Sequence, residues 1–232
     1  MTIHAVTFDI YSALYDTPAG LASALASLFR HRGLPHDPLP VARAWREAHR
    51  EYLLLVNSLD RERASNRRAI EVTARYVLRS LQPPPTPEEE RALVRAWEQL
   101  PPWPEAASVL SQVRRCPLTV AALSNGDRDM LKTLVSVLPV RFDQIISTEG
   151  GKFKPHPSVY LKALETLGVR AEDLLHVAGS STDAVGATAA GIRTVWVNRA
   201  EGAVLDARFA PAHEMRDLRG VLSLLSSGSS CP

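Results

Sequence analysis

The chain has 232 residues, 45% of them hydrophobic, and its 27 basic and 25 acidic residues give a formal charge of +2. This length is enough for one well-packed core, or for a core that carries an inserted subdomain. The small net charge, without a long basic block, argues against nucleic acid and anionic membranes as partners and leaves small anionic ligands open.

The first predicted element is the apolar run HAVTFD at residues 4–9, which has the length of a buried strand and ends in Asp9. The stretch that follows, residues 15–98, contains no convincing strand. Its helical patterns cover residues 18–32, 39–56, 63–81 and 86–98, with breaks at Gly33-Leu34-Pro35 and Pro83-Pro84-Pro85. We therefore expect an all-helical insertion after the first strand.

Further along the chain, predicted helices and strands alternate. The predicted strands are residues 118–123, 143–147, 174–178 and 193–197, and the predicted helices are residues 104–115, 127–137, 156–167, 182–190 and 215–225. Such alternation is typical of a parallel sheet with helices on both faces. The sequence thus predicts an α/β fold: a Rossmann-like, doubly wound parallel sheet from residues 1–14 and 99–232, and a helical cap from residues 15–98.

Polar residues follow the predicted strands at the points where the strands end. In an open parallel sheet, ligands bind beyond the carboxyl ends of the strands. The polar residues that the sequence places there are Asp9, Ser124, Asn125, Lys152, Lys154 and Asp183. A carboxylate, a hydroxyl with an amide, an ammonium and a second carboxylate thus come from four separate segments, and we expect them to form one site.

These residue types favour covalent catalysis by a carboxylate. A nucleophilic aspartate must stay ionised and a nearby lysine lowers its pKa, while serine and asparagine can bind a substrate carboxylate or a developing oxyanion. Each residue alone has an ordinary explanation, because strand-end aspartates cap turns, Ser-Asn-Gly forms turns and most lysines face water. Their joint placement indicates a catalytic site.

Four stretches carry a family resemblance. In chain order, FDIYSALYDT, LSNGDRDML, FKPHPSVY and HVAGSSTDAVGATAAG resemble the four motifs of the haloacid dehalogenase superfamily, over essentially the whole chain. The helical insertion lies where that family has its first-class cap. Two features resemble the type II branch, the (S)-2-haloacid dehalogenases. One is Tyr11, where phosphatases of the superfamily usually carry a second aspartate, and the other is the cap stretch AWREAHREYLLL.

The resemblance implies a role for each matching residue. It implies that Asp9 is the nucleophile, that Tyr11 contacts the substrate, and that Arg46 reaches from the cap to the leaving halide or the substrate carboxylate. Ser124 and Asn125 would bind the substrate carboxylate. These expectations place a small anionic substrate between the cap and the core.

The same resemblance implies that Lys154, which precedes a proline, neutralises and positions Asp9. Lys152 lacks the following proline and is the weaker candidate. Asp183 would complete the polar network with Tyr160 nearby, although an aromatic residue at helical spacing is as often part of the core.

The implied reaction needs neither metal nor cofactor. Asp9 would displace the halide from a short 2-haloacid, and water would then hydrolyse the aspartyl ester. The seven histidines show no metal-ligand spacing, so no zinc site is predicted. Two alternatives remain open. One is a magnesium-dependent phosphatase of the same superfamily, with Asp183 as a cation ligand. The other is a catalytically weak relative that binds a small acid or a protein partner.

The weak-relative alternative is based on departures from the family's pattern. Ser12-Ala13 stands where the family usually has Gly-Thr, and Gly179-Ser180-Ser181-Thr182 stands where its dehalogenases often have Ser-Asn-Ala-Trp. A hydroxyl, an amide and an aromatic wall are therefore missing. Because one lost hydrogen bond to an ionised group costs about 1.5–3 kcal/mol, we expect slow turnover of simple 2-haloacids.

Two observations bear on the compartment. The chain has two cysteines, Cys116 and Cys231, which suits a reducing compartment without a disulfide framework. The opening residues MTIHAVTFDI show no targeting pattern, and no apolar run reaches about 18 residues. We therefore expect a cytoplasmic chain without a membrane anchor, and leave a homodimer open.

Overall fold

The computed structural model describes residues 2–60, 63 and 65–226 of the chain. Within them, a six-stranded parallel sheet is flanked by helices, and a group of four helices follows the first strand. This arrangement confirms the predicted α/β fold with a helical cap. The division of the chain at residues 14/15 and 98/99 stays a prediction. Residues 227–232, which include Cys231, lie outside the described ones.

The sheet contains the five predicted strands and one more. Its strands are β1 (Ala5–Phe8), β2 (Thr119–Ser124), β3 (Gln144–Ser147), β4 (Leu174–Ala178), β5 (Arg193–Val197) and β6 (His213–Met215). They lie in the order β3-β2-β1-β4-β5-β6, and neighbouring strands are parallel. Because β1 is central, with β2 and β4 on either side, Asp9 at its carboxyl end lies in the middle of one edge of the sheet.

The cap helices begin at side chains that satisfy free backbone N–H groups. The helices are α1 (Thr17–His31), α2 (Pro38–Leu59), α3 (Asn66–Val77) and α4 (Pro87–Ala96). Asp16, Asp37, Ser65 and Thr86 cap them in that order, each accepting a hydrogen bond from the first turn. The α3 helix is shorter than the predicted 63–81, because the Ser65 cap fixes its start.

Helices cover both faces of the sheet. They are α5 (Ala106–Val113), α6 (Arg128–Ser136), α7 (Pro157–Leu167), α8 (Ser181–Ala189) and α9 (Arg219–Ser226). Val6 and Phe8 point into the cluster that contains residues of α5, α6 and α9, while Ala5 points into the cluster of α7 and α8. Apolar residues on both faces of β1 therefore hold Asp9 on a rigid support.

The strand β6 corrects the predicted helix over 215–225. Residues His213–Met215 pair with β5 at the edge of the sheet, and α9 begins only at Arg219. The strand is three residues long and none of its residues is buried, so it has no period-two apolar pattern to reveal it. Backbone hydrogen bonding to β5, which the sequence pattern does not show, decides its conformation.

Two other sequence expectations meet the structure here. Cys116 is disulfide-bonded, although two cysteines in the sequence were expected to belong to a chain without a disulfide framework. None of the helices in the described part of the chain combines the length and apolar character needed to cross a membrane.

The segment after β1 is a single π-helical turn, Ile10–Leu14, which the sequence patterns did not predict. Asp9 caps this turn, because its Oδ2 accepts a hydrogen bond from the backbone N–H of Ser12 at 2.9 Å. Ser12 does not have a positive φ, so a serine fits where the family's pattern has glycine. The loop after β4 packs directly on this turn at Gly179.

The close approach at Gly179 generates the first prediction. A Cβ atom at this position would lie 2.2 Å from the nitrogen of Ala13 and 2.3 Å from the carbonyl carbon of Ser12. Since these are backbone atoms of the turn that Asp9 caps, Gly179→Ala should lower the free energy of unfolding by roughly 1–3 kcal/mol. It should also lower catalytic activity. Urea denaturation measures the first effect.

The matched control for this prediction is Gly151→Ala. A Cβ atom there would lie 3.5 Å from its nearest neighbour, the carbonyl oxygen of Thr148, which is an ordinary contact. Its unfolding free energy should stay within about 0.5 kcal/mol of the parent value. Equal unfolding free energies of Gly179→Ala and Gly151→Ala would show that the loop after β4 tolerates a Cβ atom at residue 179.

Candidate active site

The ammonium group of Lys154 joins two buried carboxylates at the carboxyl edge of the sheet. Its Nζ lies 3.0 Å from Asp9 Oδ1, 2.7 Å from Asp183 Oδ2 and 2.9 Å from the carbonyl oxygen of Leu123. These acceptors match the three donors of an ammonium group. Asp9, Lys154 and Asp183 are 6%, 5% and 4% exposed, so one ammonium and two carboxylates interact largely out of water.

Burial and pairing act in opposite directions on these groups. Burial alone would lower the pKa of Lys154, but the charges of Asp183 and Asp9 outweigh it and raise that pKa. Burial alone would raise the pKa of Asp183, but Lys154 and His176 hold it well below its ordinary range. At neutral pH the site therefore holds an ammonium and an ionised Asp183 side by side.

Asp183 is the most constrained carboxylate of the site. Its Oδ2 lies 3.1 Å from His176 Nε2, and its Oδ1 accepts a hydrogen bond of 2.9 Å from the Tyr160 hydroxyl. The other imidazole nitrogen, His176 Nδ1, lies 2.9 Å from the Thr7 hydroxyl. Tyr160 thus contacts Asp183 rather than Asp9. His176, a buried residue of β4, is a site neighbour that the sequence analysis missed, although its place two residues before the end of β4 could have indicated it.

Both oxygens of Asp9 have donors. Its Oδ1 accepts from Lys154 and from the Ser124 hydroxyl at 3.2 Å, and its Oδ2 accepts from the Ser12 N–H at 2.9 Å. The backbone of the turn therefore supplies a donor where the family's pattern has a threonine hydroxyl two positions beyond Tyr11. Ala13, which stands at that position, is fully buried.

Asn125 is tied to the loop that carries Lys154. Its Oδ1 accepts a hydrogen bond of 2.7 Å from the Lys154 N–H, and its Nδ2 donates to the Lys154 carbonyl at 3.3 Å. This amide also lines the cavity. Lys152 points elsewhere, because its ammonium pairs with Asp60 of the cap and with the carbonyl oxygen of Asn57. Lys154 is thus the lysine that reaches Asp9.

Arg46 brings a cation from the cap to this site. It lies on α2, and its Nη2 donates a hydrogen bond of 2.7 Å to the Ser12 hydroxyl. Its guanidinium lies over the Trp97 ring, 5.5 Å from the centroid. Burial, together with the charge of Arg50, lowers the pKa of Arg46 to about 10, so the group is still a cation at neutral pH.

Tyr11 is buried beside the same cap residues. Its ring packs edge-on against Trp97 with centroids 5.6 Å apart, and its hydroxyl lies 3.3 Å from Asn66 Nδ2. Burial, together with the charge of Asp127, raises the pKa of Tyr11 far above its ordinary value. Tyr11 is therefore a neutral phenol at any pH at which the protein would be assayed.

A cavity of about 450 Å³ separates the cap from the core above Asp9. Asp9, Tyr11, Arg46, Asn125 and Lys154 are among the residues that line it. One wall consists of the Ser180-Ser181-Thr182 segment, where the family's pattern has an aromatic residue. This volume exceeds that of a two- or three-carbon acid and matches the lower range of small-molecule pockets.

The described residues contain no cluster of three or more histidine, cysteine, aspartate and glutamate side chains arranged for a metal ion. The two carboxylates that a divalent cation would need, Asp9 and Asp183, instead share the Lys154 ammonium. The Lys154 ammonium thus offsets one of the two negative charges of this pair.

Comparison with known proteins gives a family for this chain and several relatives. Residues 3–191 match the haloacid dehalogenase-like hydrolase family. The chain is 34% identical over 220 residues to (S)-2-haloacid dehalogenase H-109 from Pseudomonas putida, covering 93% of this chain and 95% of that protein. The structure of L-2-haloacid dehalogenase from Xanthobacter autotrophicus gives a TM-score of 0.83 at 28% identity, covering 98% of this chain and 99% of that one. The same enzyme with chloropropionic acid covalently bound gives 0.80 at 27% identity.

The shared ammonium generates a prediction about stability and pH. Lys154→Met leaves two carboxylates buried without their cation, which should lower the free energy of unfolding by roughly 3–5 kcal/mol at neutral pH. In the parent protein the lowered pKa of Asp183 gives stability that is present above the ordinary carboxyl pKa near 4 and is lost as pH falls. The variant lacks this stabilisation, so the gap between the two proteins should shrink below about pH 4.

Lys152→Met is the matched control, because Lys152 forms its ion pair with a carboxylate that is 76% exposed. That variant should lose no more than about 1 kcal/mol. Denaturant unfolding of the three proteins between pH 7 and pH 3 measures these differences. A gap for Lys154→Met that stays constant over this range would contradict the proposed charge compensation.

Proposed function

Because the chain belongs to the haloacid dehalogenase-like hydrolase family, we propose that it hydrolyses the carbon–halogen bond of a short 2-haloacid through an aspartyl ester. The observation that carries this proposal is the pairing of Asp9 with Lys154, opposite the Arg46 cation. Relatives named as (S)-2-haloacid dehalogenases, and the related enzyme with covalently bound chloropropionic acid, support the same reaction.

In the first step, Asp9 attacks the carbon that bears the halogen. The Oδ2 oxygen is the better nucleophile, because it has one donor among the described residues, the Ser12 N–H, whereas Oδ1 has two. A carbon–oxygen bond forms as the carbon–halogen bond breaks, and the bonding electrons leave with the halide. Arg46 lies on the cap side of the cavity, where its positive charge can bind the halide or the substrate carboxylate.

In the second step, water attacks the Asp9 carbonyl carbon. The bond between the Asp9 carbonyl carbon and the ester oxygen breaks, and the oxygen of water stays in the Asp9 carboxylate. One proton of water goes to the hydroxyl of the departing 2-hydroxy acid, and the other goes to solvent. Since the substrate carbon is attacked once, its configuration is inverted. The positive charge of Lys154 stabilises the Asp9 carboxylate and the oxyanion that develops on it, and Asp183 holds Lys154 in place.

The site residues support different parts of this proposal. Ser124 positions Asp9, while Asn125 holds the Lys154 backbone and presents its amide to the cavity. Tyr160 orients Asp183, and Tyr11 supplies a neutral wall of the cavity. The substrate is thus proposed to be a small anion. The cytoplasmic location and a homodimer stay predictions, and the disulfide at Cys116 removes one argument for the location.

Product analysis tests this function. The protein is incubated with a panel of 2-chloro and 2-bromo acids of two to six carbons, and halide release is followed with and without EDTA. Phosphate release from an aryl phosphate with Mg²⁺ is measured in parallel. Halide release that survives EDTA is expected. Phosphate release that depends on Mg²⁺, without halide release, would instead identify a phosphatase.

A further prediction concerns the nucleophile. Asp9→Asn should reduce halide release by at least about a thousandfold, because an amide of nearly the same shape is a poor nucleophile. Single turnover in water enriched in oxygen-18 provides a second test. The heavy isotope should appear first in the Asp9 carboxylate of the parent protein, as mass spectrometry of the peptide would show.

Asp37→Asn is the control for this substitution. Asp37 caps α2 at the protein surface, and asparagine is an equally good N-cap residue, so activity should be unchanged. Parent-level halide release by Asp9→Asn, after deamidation has been excluded, would assign the nucleophile to another residue.

A further inference from the structure

Two neutral side chains hold the Arg46 guanidinium. Its Nη2 donates to the Ser12 hydroxyl at 2.7 Å, and its Nη1 lies 3.4 Å from His49 Nδ1. Ser12 belongs to the turn after β1, whereas His49 lies one helical turn beyond Arg46 on α2. The guanidinium is thus held by a core residue on one side and by a cap residue on the other.

His49 acts as an acceptor because of its other neighbour. Its Nε2 lies 2.9 Å from Asn66 Oδ1, while Asn66 Nδ2 lies 3.3 Å from the Tyr11 hydroxyl. A carbonyl oxygen accepts only, so His49 carries its proton on Nε2 and presents the lone pair of Nδ1 to Arg46. Burial, together with the charge of Arg46, lowers the pKa of His49 to about 3, which keeps the imidazole neutral.

Asn66 is in turn fixed by the core. Its backbone N–H donates a hydrogen bond of 2.6 Å to Asp127 Oδ1, and Asp127 Oδ2 accepts from the Arg67 N–H at 3.1 Å. Asp127 lies just before α6, so a core carboxylate caps the cap helix α3. The hydrogen bonds therefore run from the core through Asn66, His49 and Arg46, and return to the core at Ser12.

Neither of these two partners neutralises the charge of Arg46, and the carboxylates of Asp9 and Glu47 act on it only from beyond ion-pair distance. Among the described residues, no carboxylate lies within ion-pair distance of its guanidinium. An arginine held by a carboxylate would have its charge cancelled before an anion arrived. A hydroxyl and a neutral imidazole fix the planar fork and leave the charge to an anion in the cavity.

We propose that Ser12 and His49 are positioning residues, which aim the Arg46 guanidinium at the substrate anion without neutralising its charge. This inference rests on the proposed function for its kinetic test. Ser12 contacts both charged groups: its N–H donates a hydrogen bond to Asp9, and its hydroxyl accepts one from Arg46. One residue thus sets the spacing between the nucleophile and the cation that receives the anion.

The kinetic test uses Ser12→Ala, which removes the hydroxyl and keeps the N–H that binds Asp9. We expect kcat/KM to fall about tenfold, since the lost bond has a charged donor. The loss should appear in the same parameter, kcat or KM, that Arg46→Lys changes. In the Arg46→Lys background, Ser12→Ala should cost less than about twofold, because its effect passes through the arginine. His49→Leu should follow the same pattern, while Ser58→Ala, an exposed serine farther along α2, is the control.

Full additivity of Ser12→Ala and Arg46→Lys would overturn the inference, as would parent-level kcat/KM in Ser12→Ala. Unfolding midpoints are measured for every variant. His49→Leu removes a buried ring that packs on Trp97, with centroids 4.5 Å apart, and can affect folding. If His49→Leu does not fold, Ser12→Ala still tests the inference, because it removes only one oxygen atom.

Anion binding separates failure of this inference from failure of the proposed function, because it needs no turnover. Sodium propionate and sodium bromide are titrated separately while tryptophan fluorescence is followed, Trp97 lying 5.5 Å from the Arg46 guanidinium. The parent protein and Ser58→Ala should bind at least one of the two anions, and Ser12→Ala should bind it about tenfold more weakly. Equal binding by Ser12→Ala, or no binding by the parent protein, would overturn the inference even if halide release were observed.

Discussion

The site depends on one interaction, the contact of the Lys154 ammonium with two buried carboxylates. Taking Asp9 and Asp183 out of water is costly, and a single cation placed within 3.0 Å of both carboxylates offsets that cost. The three acceptors of Lys154 come from the ends of β1 and β2 and from the start of α8. The parallel sheet brings these segments to one edge, and the charge pairing keeps them there.

A second constraint is the seating of the cap on the core. The Asp127 carboxylate binds the first N–H groups of α3, and the amide of Asn57 on α2 bonds in both directions with the backbone of Phe153, next to Lys154. These contacts position the α2 face that carries Arg46. In the proposed reaction, Asp9 on the sheet and Arg46 on the cap meet the same small anion, although their chain positions are far apart. The proposed reaction therefore requires the cap to be seated on the core.

Much of this arrangement could be predicted from the sequence. Asp9 and Asp183 follow apolar strands, and the carboxyl ends of parallel strands must share an edge, so their meeting followed from the pattern. The π-helical turn and β6 could not be predicted, because backbone hydrogen bonds rather than side-chain periodicity decide them. The side chains that bind Arg46 could not be predicted from the sequence either. His49 looks like a buried residue of an amphipathic helix, and only tertiary packing shows that its Nδ1 faces a cation.

The turn after β1 shows why the departures from the family's pattern do not translate directly into lost contacts. Counting side-chain hydroxyls suggested that Ala13 leaves the nucleophile short of a donor, yet Asp9 receives donors from a backbone N–H, a serine and a lysine. The serine that replaces glycine adds an acceptor for Arg46. The groups that act on Asp9 thus come from strand ends and backbone, which tolerate sequence change. The cavity wall at Ser180-Ser181-Thr182 consists of side chains that are not among the hydrogen-bond partners of Asp9 in the described part of the chain. Under the proposed function, sequence change there would alter which acid fits, while Asp9 and Lys154 stay in place.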